Sequence, residues 1–166
     1  MTPFDGSLAQ AHIDEIIRAE ALAVIAVDRS DRARAWRRAR RIAIPPIRSR
    51  RAYFVALHEL GHILGPNPAL RLDQEVAAWG WALATARMEP TPACWAMIGR
   101  ALGSYIARSV DRAGMRVPEA AHPIWALVPI DHAEVLAIEA GGATRRQAAV
   151  KVVEVVRERL RAGWTN

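Results

Sequence analysis

"LHELGHILGPNPALRLDQE", Leu57 to Glu75, reads as the end of one helix, a proline-marked turn and the start of another. Within it His58, Glu59 and His62 spell H-E-x-x-H. Residues four apart on a helix lie on one face, one turn from each other, so both imidazoles can reach a single cation. Glu59 sits about 100° round the helix from His58, placed to address a water on that cation without binding the cation itself. This is what a hydrolytic zinc site requires. The competing account is a pair of core or surface histidines. Setting His, Glu and His amid Leu57, Leu60, Ile63 and Leu64 would then bury polar groups at a cost unless something bonds them.

A catalytic zinc takes three protein ligands and keeps one position open for water. The scheme H-E-x-x-H-x-x-G-x-x-H has its glycine here at Gly65, but Pro68 stands where its third histidine belongs, so that scheme fails. A carboxylate from the next helix is the alternative. "DQEVAAWGWA" offers Glu75, followed by Ala78 and Ala82 on the same face, small enough to let the two helices approach closely. Glu75 is the expected third ligand. Asp73 is the competing carboxylate, though a cap for the second helix also explains it.

Working outward, most of the chain reads as helix. Ser7 can cap "LAQAHIDEIIRAEALAVIA", where Ile13, Ile16, Ile17 and Leu22 approximate a 3.6-residue stripe. An arginine-rich helical stretch is expected from Ser30 to near Arg41. "IAIPPI" then reads as a short strand that its prolines confine to a sheet edge. Ser49 can cap the motif helix, which Gly65, Pro66 and Pro68 terminate. A further helix, "ACWAMIGRALGSYIARSV", follows Pro90 and Pro92. Asp131 with Glu134, and Thr144 with Gln147, have the spacing of capping boxes.

Composition narrows the classes. At 166 residues the chain can bury one proper core, so a single domain over 1–166 is expected, with the site in about 42–90 and a helical region over 91–166. The longest apolar run, Ala21 to Val27, is far short of a membrane span, and no signal pattern opens the chain, which predicts a cytoplasmic protein with no membrane partner. Cys94 is the only cysteine, which excludes an internal disulfide and a thiolate cluster. The net charge is +6, and Arg29 to Arg51 carries ten arginines against one acid, Asp31. Such a segment is either a solvated face or a patch for an acidic protein or nucleic acid.

"SRRAYFVALHELGHILG" followed by "EVAAWGWALATARMEP" resembles the ImmA/IrrE family of small zinc metallopeptidases, whose second helix has the form E-x-x-A-x-x-(aromatic)-A. Glu75, Ala78, Trp81 and Ala82 fill that form. The resemblance spans about 45 residues, up to Pro90. It implies an α+β, mainly α fold with a zincin-like core: an active-site helix, a ligand-bearing second helix and a small sheet with a short edge strand. It implies that His58, His62 and Glu75 bind Zn2+, that Glu59 is the general base, and that the substrate is a protein, typically a DNA-binding repressor of a mobile element or stress response. The turn between His62 and Glu75 is shorter than the family's, and no partner domain is fused. Candidates to steady an oxyanion are Tyr105, His122, His132, Tyr53 and His12. Trp79, Trp81, Trp95 and Trp125 read as core or cleft wall.

Two readings from other classes stand beside this one. Val135 to Val153 reads helix, glycine turn, capped helix, with Arg145, Arg146 and Gln147 where a recognition helix would meet nucleic-acid bases. The other is a zinc-bound but catalytically idle interaction module.

Overall fold

A computed structural model describes residues 4–25, 33–113, 115–141 and 144–164. The fold is α+β and mainly helical, with six α-helices and one three-stranded sheet among the described residues. The chain divides into two compact units, Met1–Thr91 and Pro92–Asn166.

The first unit opens with α1, Gly6–Ala19. Its cap is Asp5 rather than Ser7: the Asp5 carboxylate accepts from the backbone N–H groups of Ser7 and Leu8 and from the Ser7 hydroxyl. α1 is also shorter than its apolar pattern suggests. Ala21 takes a left-handed φ of 49°, and the chain leaves the helix into β1, Ala23–Val24. Val24 and Ile25 are β-branched, so they lose little by leaving a helix.

The arginine-rich stretch is not helical where it is described; Ser30 itself lies outside the described residues. Arg34–Trp36 forms β2, residues 37–40 turn, and Arg41–Ala43 forms β3. Arg40 takes φ 47° in that turn. Its guanidinium donates to the Glu20 carbonyl and pairs with the Glu20 carboxylate, tying the turn to the end of α1. The strand order is β1-β3-β2, with β1 parallel and β2 antiparallel to β3. β3 is therefore the central strand, not the edge strand expected of "IAIPPI". The strand ends before Pro45, so its own N–H groups are free to pair on both sides.

The motif helix α2, Arg50–Leu64, starts where expected, with the Ser49 hydroxyl accepting from Ala52 N–H at 3.1 Å. Tyr53, Phe54, Ala56, Leu57, Leu60 and Ile63 are buried along its length at helical spacing. It ends at Gly65. There Arg37, from the β2–β3 turn, donates to the carbonyls of His62 at 3.1 Å and Gly65 at 3.0 Å. A guanidinium on the last carbonyls satisfies acceptors the helix leaves open and lies at the negative end of its dipole.

α3 spans Arg71–Thr85, starting earlier than expected. Leu70 is its N-cap and supplies no side-chain bond, so Asp73 lies inside the first turn instead of capping it. α2 and α3 pack closely because Gly61 presents no side chain. A Cβ there would come within 2.6 Å of the Ala78 carbonyl oxygen. Ala78 and Ala82 are both fully buried, as their size suggested.

In the second unit α4, Pro92–Asp111, packs along α6, Arg145–Arg161, with α5, His132–Ala140, beside α6. Thr144 and Gln147 form a complete capping box. Asp131 caps α5 through Glu134 N–H, but the Glu134 carboxylate turns to Arg159 at 2.7 Å and leaves that box half made. No helix among the described residues is long and apolar enough to cross a membrane.

Candidate metal centre

α2 carries His58 and His62 one turn apart, and the close approach at Gly61 brings Glu75 of α3 onto the same spot. The two imidazole Nε2 atoms are 3.1 Å apart. Glu75 Oε2 lies 3.3 Å from His58 Nε2, and Glu75 Oε1 lies 3.6 Å from His62 Nε2. Ligands about 2.0–2.1 Å from a tetrahedral zinc stand about 3.3–3.4 Å from one another, by the geometry of the tetrahedron. The three contacts therefore match one face of such a coordination shell, and the donor set of two imidazoles and a carboxylate is one that zinc takes. His58, His62 and Glu75 come together as the sequence indicated; Asp73 is not in the cluster.

The electrostatics suit the same use. Burial holds the His58 imidazole below its ordinary pKa, keeping it neutral, the form that can ligate a metal. Burial works against the charge on Glu75, but its contacts with His58 and His62 outweigh that and hold the carboxyl well below the usual carboxylate range. Burial, reinforced by the Glu75 charge and opposed by His62 and Arg71, pushes Glu59 up to about 7.

Four contributors to the site were not foreseen. The Trp79 indole stacks on His58 with ring centroids 4.1 Å apart and an interplanar angle of 24°. His58 Nδ1 is buried without a hydrogen-bond partner among the described residues, so this stacking, not the usual bond to the second ring nitrogen, fixes the ring. Arg71 Nη2 lies 2.6 Å from Glu75 Oε1, without the alignment of a hydrogen bond, so the contact is an ion pair rather than a directed bond. Arg37 holds the carbonyl of His62, and Gly61 sets the helix separation. Arg71 and Trp79 flank Glu75 four residues to either side, a spacing already legible in the sequence.

The side chains considered for an oxyanion have local partners. His12 and Tyr53 are buried and joined by a 2.7 Å bond, and the Tyr53 hydroxyl accepts from Arg87 N–H. In the second unit His122 Nδ1 accepts from Ile124 N–H, Tyr105 lies under the Arg108 guanidinium, and His132 meets Trp125 edge to face. Of the residues in the recognition-helix reading, Arg145 donates to the Arg112 carbonyl and Gln147 serves the capping box. Trp79 is buried; Trp81, Trp95 and Trp125 are half-buried.

Comparison with models of known families, with curated proteins and with solved structures returned no match.

Proposed function

We propose that this chain is a zinc-dependent metallopeptidase with a zincin-like core, its ion held by His58, His62 and Glu75. The observation that carries the reading is the spacing of the three donors, whose separations of 3.1, 3.3 and 3.6 Å suit one small tetrahedral cation. Zinc bound there supplies Lewis acidity, making a water acidic enough to lose a proton near neutral pH and polarising a carbonyl.

The chain's own groups do the rest. Glu59 makes no hydrogen bond or ion pair with a described residue, and burial raises its carboxyl to about 7 in the ion-free chain, a basicity that a nearby cation would lower; it is the group that would take a proton and return it to a leaving amine. Trp79 holds the His58 ring by stacking, and Arg37 anchors the backbone of His62. The ImmA/IrrE-like pattern from Glu75 to Ala82 supports a protein substrate, and we extend the proposal to site-specific cleavage of a repressor-like regulator.

The test is Glu59→Gln. Wild-type protein loaded with zinc should hydrolyse peptide bonds, and the variant should keep its zinc while losing at least about a hundredfold in rate. Zinc-loaded wild type that cuts neither peptides nor unfolded protein would make this an idle zinc module, and a variant of undiminished rate would remove Glu59 from the chemistry.

A further inference from the structure

Arg71 is the first residue of α3, where the helix dipole disfavours a cation. Nothing in the capping of that helix calls for an arginine, since Leu70 supplies no side-chain bond. What the arginine meets is Glu75, one turn on, at 2.6 Å from Oε1, the oxygen that also faces His62 Nε2. The Glu75 side chain is 7% exposed and that of Arg71 is 66% exposed. A buried ligand charge is thus balanced by a guanidinium that lies mostly in solvent.

We propose that Arg71 is a displaceable counter-cation that competes with a divalent metal ion for Glu75; the proposal rests on the metal-site reading above. Without an ion, the buried carboxylate lies against the Arg71 guanidinium, whose charge offsets part of the cost of burying it. When an ion binds, two cations would share one carboxylate and repel each other. With two thirds of its side chain already exposed, the guanidinium has room to rotate away from Glu75. Its departure lowers the net gain of binding, so Arg71 steadies the metal-free protein and keeps the metal exchangeable. Arg37 cannot take this part, being held by the carbonyls of His62 and Gly65.

The experiment uses the full chain, stripped with a chelator and titrated with zinc against a chromophoric competitor. Arg71→Met and Arg71→Gln remove the charge, the second keeping a polar tip. Both variants should bind zinc about three- to tenfold more tightly than wild type, the scale of a partly exposed ion pair. Their zinc-free forms should melt at a lower temperature, and their zinc-loaded forms no lower than wild type. Equal or weaker zinc affinity in both variants overturns the proposal, since Arg71 would then be neutral or a prop for Glu75. If wild type itself takes up no zinc, the metal-site reading falls and carries this one with it; if wild type binds and the variants bind alike, this one falls alone.

Discussion

Two helix pairs use the same device to opposite ends. In the first unit α2 meets α3 at Gly61, where a Cβ would stand 2.6 Å from a backbone oxygen. In the second unit α4 meets α6 at Gly103, where a Cβ would stand 3.0 Å from the Val156 Cγ1 atom. Around Gly103 the buried residues are almost all apolar: Ile98, Leu102, Ile106, Val110, Val152 and Val156. The α2–α3 seam instead buries two titratable groups, His58 and Glu75, and holds His62 half-buried against them. Burying such groups costs free energy that packing alone does not return, and the α4–α6 seam shows that this chain can join two helices without it. The polar cluster between α2 and α3, a group that could hold a metal ion, is therefore better explained by the metal site proposed above than by packing.

The contrast is most directly broken through the ligands. A structural zinc site with four ligands binds with about 10–16 kcal/mol, so losing one ligand should cost about 3–4 kcal/mol, a factor of several hundred in Kd. Glu75→Ala and His62→Ala are expected to show that loss in a zinc competition titration, while Asp73→Ala binds as wild type does. Zinc should also slow amide exchange in α2 and α3 of the wild type. Slowing confined to α4 and α6 would place the ion elsewhere.

The next effect in size compares the two glycines. Gly61→Ala drives a Cβ against backbone that cannot move alone, and is expected to cost about 2–3 kcal/mol in urea unfolding even after the gain in helix propensity. Gly103→Ala meets a side chain instead. The neighbouring valine must yield a few tenths of an ångström, and the propensity gain offsets much of the strain, leaving a cost of about 0–1 kcal/mol. Similar costs at both positions would mean that the α2–α3 approach is no tighter in solution than the α4–α6 approach.

The smallest effect comes from a buried histidine that is not a ligand. His12 bonds Tyr53, and burial, helped by the charge of Arg87, holds its pKa below the ordinary 6.5. Its folded pKa is depressed, so the unfolded chain takes up the proton first as pH falls through 6.5. Stability is thus complete above that value and declines below it, with a slope of at most about 1.4 kcal/mol per pH unit. Unfolding of metal-free wild type and His12→Asn, compared from pH 7.5 down, should show wild type losing the additional stability below about 6.5. Parallel pH profiles would remove His12 as a source of acid sensitivity.

Local chemistry made much of this protein legible in its sequence. The helix under H-E-x-x-H, its start at Ser49 and stop at Gly65, the caps at Asp131 and Thr144, and the grouping of His58, His62 and Glu75 all follow from spacings within one or two helical turns or across one short turn. The sequence misled where a local pattern had two solutions. Arg34–Trp36 is a strand because β3 offers it a partner, and Ala21–Ile25 leaves the helix to lie beside the same strand. Neither pairing can be read from the segment itself. β3 became central for the same reason. Only the tertiary structure could set Gly61 against Ala78, stack Trp79 on His58 and bring Arg37 from a turn to the end of α2, since these contacts join residues whose approach depends on how separate elements pack. The candidate ligand types were determined along the chain; the 3.3 and 3.6 Å that separate Glu75 from the two imidazoles were decided by the close approach of α2 and α3 at Gly61.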